Sequence, residues 1–350
     1  APGLPARCEA ADIDLRRCLL RPWGWNRDVR LRALRAGLPE LLPPGAAADP
    51  SLCCGPDTAT GRLRLIPSEN QLSAWRRLSH RGAWLSLPLP EGPLLRPARK
   101  AEVRSAGEAA RCLEDWGAAS GLMLKRPYSC SGRGLLEVSP PAEKEAPSAL
   151  AAPHVARWMA DGLRLQGSLI AEERLEKASD LALLFRAGYE AAPDGELRYA
   201  VRPAGYSLFR TDARGAYLGN LLLPDSLILR RLEQDFGLPP PLARALQERL
   251  QPAAYCGCVG VDQMVVRAGG GYRLCPVVEV NLRCTMGFAA HALARRLAAR
   301  ETLPGEDHAE TAPFFTLQTR KTPAAHWSEG NARPLLPEDP QALFRAVLHY

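Results

Sequence analysis

The sequence predicts a mixed α+β or α/β chain of more than one domain, and three observations carry that expectation. Its 350 residues exceed the usual single hydrophobic core, so two or three domains are expected. Segments with helical apolar spacing alternate with short apolar runs of strand length. The composition, 46% hydrophobic and 24% charged, is that of an ordinary globular protein.

The elements follow in order. "DVRLRALRAG" has helical spacing and stops at Gly37, and "ENQLSAWRRLSHRG" is a second helix ending in Gly82. "PLPEGPLLRPARK" reads as a linker, since its prolines block helix and inner strand alike. "SAGEAARCLEDWG" opens with Ser105 and Glu108 in capping-box spacing, and the strand "LMLK" follows. "APHVARWMADG" is a helix and "SLIAEERL" a strand. Residues 181–186 and 197–223 alternate as antiparallel strands with a turn at "DARGAY". "PPLARALQERL" and "GFAAHALARRLAARE" are helices on either side of a hairpin, and "DPQALFRAVLHY" is read as a terminal helix.

Several function classes recede on composition. No stretch reaches roughly 18 apolar residues without charge, so no spanning helix is expected. The first twenty residues lack a basic segment followed by an apolar run, so no leader is predicted and a cytoplasmic location is expected. The net charge of +7 is carried by dispersed arginines without interleaved aromatics, which argues against nucleic acid as a partner. Ten cysteines include no C-x-x-C pair, so they are read as mostly reduced thiols rather than zinc ligands.

The hairpin carries the first chemical signal. In "CPVVEVNLRCTMG", Glu279, Asn281 and Arg283 fall at every second position and share one face of a strand. The preceding strand carries Asp262 in "GVDQMVV". With Gly270 and Gly271 as the two turn residues, Asp262 lies directly across from Glu279, where Cβ atoms are roughly 4.5–5.5 Å apart. Pro276 lacks a ladder N–H and is where a bulge would shift that register. Two carboxylates so close repel unless a cation lies between them or one keeps its proton. With an amide oxygen beside them they suit a hard cation such as Mg²⁺.

The second signal is "GLMLKRPYSCSGRGL". Lys125 ends an apolar strand, and Ser129, Ser131, Gly132 and Gly134 follow in a loop whose backbone N–H groups can converge on an anion. Lys125 precedes the glycines, so this is not the P-loop order.

Taken in sequence, Lys125 with "SCSGRG", then "LIAEERL", then Asp262 and "EVNLR" resemble the motifs of the ATP-grasp enzymes, a carboxylate-amine/thiol ligase-like superfamily. The resemblance covers roughly residues 106–310. It implies two α+β subdomains gripping ATP, preceded by a small α/β domain: 1–105 as the N-terminal domain, 106–175 as the lid subdomain, 176–312 as the metal-binding subdomain and 313–350 as a C-terminal extension. By the same resemblance, Lys125 contacts phosphate and the adenine side, and Ser129, Ser131, Gly132 and Gly134 close over the phosphates. Glu172, Glu173, Arg174, Leu175 and Asp180 belong to the nucleotide site, and Asp262, Glu279 and Asn281 hold Mg²⁺. Arg283, with Lys125, is the catalytic candidate, steadying the γ-phosphate or the acceptor carboxylate. Lys100 stands where many members have a second, upstream lysine. Where some members have an arginine two residues before the first metal carboxylate, this chain has Gly260, leaving Arg283, Arg133 or Arg210 to substitute. Trp23, Trp25, His80 and Arg81 are candidates to face the cleft from the first domain.

The expected function is an ATP- and Mg²⁺-dependent ligase acting on a small-molecule carboxylate and an amine. A non-catalytic ATP-binding regulatory protein is the alternative. A thiol enzyme built on Cys130 with His80 or His154 is a more distant one.

Overall fold

The computed structural model describes residues 20, 22–42, 54–57, 59–117, 120–129, 134–140, 149–194, 196–212, 215–299, 313–319, 332–334 and 344–349. Two helices come first among the described residues. In α1 (Arg27–Arg35), the Asn26 side chain accepts from the Val29 amide. In α2 (Glu69–Leu78), Ser68 and Gln71 form a reciprocal capping box. A 3₁₀ turn at Arg81–Trp84 follows, its first free amide (Gly82 N) donating to His80 Nδ1 at 3.0 Å.

Next come β1 (Lys100–Val103), α3 (Ala106–Cys112), β2 (Leu122–Lys125), β3 (Leu135–Val138), α4 (Pro153–Gln166) and β4 (Leu169–Glu173). Their strands form a four-stranded antiparallel sheet in the order β1-β4-β2-β3. The period of two buries Leu122, Leu124, Leu169 and Ala171 against Val155 and Met159 of α4 and Ala109 of α3. The α4 helix runs past Gly162, where "APHVARWMADG" predicts its end. A Cβ at Gly162 would meet Leu169 Cδ2 at 2.6 Å, so close packing on β4 requires the glycine there, and Gly167, at φ +78°, is the stop.

The second sheet has eight strands. Its members are β5 (Lys177–Ala191), β6 (Leu197–Thr211), β7 (Tyr217–Leu221), β8 (Gly257–Ala268), β9 (Gly271–Asn281), β10 (Phe314–Thr319), β11 (Ala332–Pro334) and β12 (Phe344–His349). The order is β11-β12-β10-β7-β6-β5-β8-β9, with every pairing antiparallel. Alternation along β5 divides its faces. Leu181, Leu183 and Phe185 join a core with α2 and α6 (Pro240–Leu250), whereas Ala182 and Leu184 meet Phe288 of α7 (Met286–Ala298). Phe185 is fully buried, and truncating such a ring costs about 3–5 kcal/mol. A further helix, α5 (Asp225–Phe236), precedes α6.

The structure bears on the expected unit boundaries and changes the terminal element. The edge strand β1 starts at Lys100, so the small unit begins inside the region assigned to the first domain, ahead of the boundary at 105. Among the described residues before Lys100 the β pairing is limited to isolated bridges. Leu72, Trp75 and Trp84 sit in the same core as β5 and α6. From the region expected as a C-terminal extension, β10, β11 and β12 pair into the large sheet. "DPQALFRAVLHY" is correspondingly a strand over Phe344–His349. Its helical spacing loses to the pairing that β10 and β11 provide on both sides.

Candidate functional site

The hairpin delivers the predicted juxtaposition by a different route. Gly269 and Gly270, both at positive φ (60° and 76°), make the turn, and Ala268 pairs with Gly271. The ladder then slips by two residues between the Asp262 and Met264 pairs, so that Pro276–Val278 of β9 oppose Gln263 alone. Gln263 fills the bulge, its Nε2 donating to Pro276 O at 2.8 Å. Beyond the bulge Asp262 faces Glu279 and Gly260 faces Asn281. The proline that cannot donate to the ladder and the shifted turn offset each other.

Asp262, Glu279 and Asn281 therefore lie together, and Asn281 Nδ2 donates to Asp262 Oδ2 at 2.9 Å. Burial and the neighbouring Glu279 charge push the Asp262 carboxyl up to about 8, against a partial pull downward from Arg283. Asp180 on β5 adds to the negative field on Asp262. Its own carboxylate is taken by Lys177 Nζ at 2.8 Å and by the Thr211 hydroxyl at 2.7 Å. The donor set is oxygen only, and its excess negative charge is what a hard cation would neutralise. Among the described residues no group of three or more His, Cys, Asp or Glu is arranged to hold a metal. The hairpin set is two carboxylates and an amide.

Across from the hairpin stands the end of the small sheet. Lys125 of β2 and Lys100 of β1 converge on one carboxylate, Glu172 of β4, at 2.9 Å and 3.0 Å. Burial pushes the Glu172 carboxyl up, but the two lysines outweigh it and the net displacement is downward. Lys100 Nζ also donates to Val277 O at 2.9 Å and Val278 O at 2.8 Å, which ties β1 to the bulged part of β9. The neighbouring residue Glu173 serves a different group, accepting from Arg96 at 2.6 Å and Arg99 at 3.3 Å. Arg174 pairs with Glu137 at 2.8 Å, and Leu175 is half-buried beside it.

Arg81 joins the two sides. Its Nη1 donates to Arg126 O at 2.5 Å and to Ser129 Oγ at 2.6 Å, and its Nη2 reaches Glu279 Oε1 at 2.8 Å. Ser129 and the hairpin carboxylate Glu279 thus share one guanidinium. Gly134 follows at φ +88° with a would-be Cβ 2.9 Å from Ser129 Cβ, while Ser131, Gly132, Cys130 and Arg133 lie outside the described residues. The space left among Arg81, Lys100, Lys125, Glu172 and Glu279 is only about 20 Å³, room for about one water.

Arg283 is not part of that space. It lines a second cavity of about 640 Å³, together with Trp23, Trp25 and Arg186. Arg210 lies over the Phe314 ring at 5.6 Å and lines neither space. At Gly260 a Cβ would meet Thr285 Cγ2 at 3.1 Å, so a larger residue there needs Thr285 to give way. His80 caps the 3₁₀ turn and packs edge-on to Tyr128, and His154 is exposed on α4. The sequence left Arg81 as one of several cleft candidates and gave no sign of Arg186. Both are single arginines among many, without a motif around them.

No protein-family model matches the chain, and no curated protein matches it in sequence. Among solved structures, it is similar to N5-carboxyaminoimidazole synthetase from Staphylococcus aureus complexed with ADP, at 10% identity and TM-score 0.39, over 69% of this chain and 56% of that one. It is similar to N5-carboxyaminoimidazole synthase from Aspergillus clavatus in complex with ADP and 5-aminoimidazole ribonucleotide, at 15% identity and TM-score 0.42, over 79% and 69%. A biotin carboxylase from Campylobacter jejuni with a bound ATP ligand matches at 12% identity and TM-score 0.41, over 81% and 62%. The chain thus spans between 56% and 69% of the length of these three proteins.

Proposed function

We propose that this chain is an ATP- and Mg²⁺-dependent ligase that activates a carboxylate as an acyl phosphate for attack by an amine or a similar nucleophile. The observation that carries the reading is Arg81, whose guanidinium bonds the phosphate-loop residue Ser129 and the hairpin carboxylate Glu279 together. A lysine pair for triphosphate oxygens and an oxygen-only cation site therefore face one another. The order of motifs from Lys125 to "EVNLR" resembles ATP-grasp enzymes in the same sense.

In this reading Asp262, Glu279 and Asn281 hold Mg²⁺, which supplies charge neutralisation on phosphate oxygens. Lys100 and Lys125 give up part of their hold on Glu172 to bind those oxygens, and the 129–134 loop covers them and excludes water. Glu172 to Leu175 and Asp180 complete the nucleotide site. The acid's oxygen bonds to the γ-phosphorus as the bridging P–O bond to ADP breaks. The amine nitrogen then bonds to the acyl carbon as the C–O bond to phosphate breaks and the amine loses a proton. No side-chain nucleophile is needed, and the protein's contribution is electrostatic and positional. The narrow cleft requires the two sheets to part before a nucleotide enters.

Replacing Glu279 with Gln tests this. ADP release with pooled carboxylates and amines is expected in the parent protein and is expected to vanish in Glu279→Gln, with an unchanged circular dichroism spectrum. Undiminished ADP release in the variant would overturn the assignment.

A further inference from the structure

The 640 Å³ cavity is within the range of small-molecule pockets and is absent from the nucleotide assignment above. It lies between residues 22–28, helix α2, and the ends of β5, β8 and β9. The Cys284 amide donates to Trp23 O at 2.7 Å, and a Cβ at Gly24 would stand 3.2 Å from Arg283 Cβ, so the N-terminal segment is laid directly over the strand end.

Its charge is one-sided. Asp28 and Glu69 on the rim are engaged by Arg32 and Arg30, each at 3.0 Å. Arg27, Arg76, Arg186 and Arg283 also line it, and among the described residues none of the four pairs with a carboxylate at salt-bridge distance; Arg76 and Arg186 lie over Tyr128 and Phe288 instead. Its apolar surface is aromatic. Trp75 and Tyr255 meet edge-on at 5.1 Å at its buried side, and Trp23 is 50% exposed. Guanidinium groups without a carboxylate partner bind carboxylates bidentately, and flat apolar walls favour a planar body. Arg283 lies two residues beyond Asn281, and its charge reaches Asp262.

We propose that this cavity is the acid-substrate pocket and that it takes a planar aromatic carboxylate, with Arg186 as a specificity-determining residue. The proposal rests on the ligase reading for the meaning of the site but not for its occupancy. A carboxylate held by Arg283 lies beside the metal hairpin, where the phosphoryl group is to be transferred. Arg186, farther along β5, sets the demand for negative charge, and Trp23 covers the ring.

Calorimetric titration of the full chain without nucleotide tests it, using 2-naphthoate, 2-naphthalenemethanol and adipate. The aromatic acid is expected to bind at least tenfold tighter than the neutral alcohol or the aliphatic acid. Arg186→Gln, an exposed position, is expected to lower naphthoate affinity at least tenfold while leaving fluorescent-ATP binding unchanged. Trp23→Ala lowers naphthoate affinity about fivefold. Lys125→Met is expected to do the reverse, losing nucleotide and keeping naphthoate. Equal binding of alcohol and acid, tight binding of adipate, or an indifferent Arg186→Gln would each overturn the pocket. Intact naphthoate binding without ADP release would instead sink the ligase reading and leave the pocket standing.

Discussion

The two banks of the cleft solve the same problem in opposite ways. On the small-sheet bank, two lysines share one buried carboxylate, which leaves one positive charge in excess. On the large-sheet bank, Asp262 and Glu279 stand side by side with only the partial help of Arg81 and Arg283, and Asp262 holds its proton up to about pH 8. A buried ion cluster is stable when each charge finds a partner, and frustrated when like charges are left together. The first bank has a surplus of positive charge around one carboxylate, and the second has two like charges side by side. The proposed metal completes it.

The contrast breaks most visibly at Glu172. Replacing it with Gln strands two ammonium groups without their carboxylate, and a loss of about 3–5 kcal/mol in urea unfolding is expected. A loss below ~1 kcal/mol would show that the lysines are solvated rather than paired. On the other bank the sign reverses. In EDTA, Asp262→Asn is expected to raise the melting temperature at pH 9, because it removes a carboxylate that folds at a disadvantage.

The pH dependence sharpens the same point. The unfolded Asp262 carboxyl titrates near 3.8 and the folded one near 8, so the folded state binds the extra proton between these values. The Asp262 contribution is therefore full at low pH, declines as pH rises from about 4 to about 8, and stays flat above. Mg²⁺ competes with that proton. The stabilisation it gives at fixed concentration should grow from pH 6 to pH 8 and then level off, as read by thermal shifts. An equal shift at pH 6 and pH 9 would place the ion elsewhere. The smallest effect belongs to Arg81→Met. Releasing Glu279 from its guanidinium should tighten apparent Mg²⁺ affinity about fivefold, equivalent to about 1 kcal/mol. Backbone amides near Ser129 should exchange faster.

What could be read in advance follows from where each signal resides. The small-sheet strand "LMLK" and the capping serine Ser105 are local signals, and the structure repeats them. The turn and the bulge of the β8–β9 hairpin are local too, yet neither fixes the register alone. Three successive glycines allow several turns, and the proline marks a disruption without its size. The facing of Asp262 and Glu279 survives because a turn placed one residue earlier is offset by two extra residues around Pro276. The helical pattern of 344–349 misled because strand pairing with β10 and β11 is a long-range event.

By itself, the sequence determined which residues carry oxygen and charge, and that alternation on β9 puts Glu279 and Asn281 on one face. Only the tertiary structure decided that Lys100 joins Lys125 on Glu172, that Arg81 spans the cleft, and that Arg283 turns to a separate cavity with Arg186. Those partners lie as far as 198 residues apart along the chain. Nothing local in the chain encodes such pairings, which arise from how two sheets and the N-terminal helices dock.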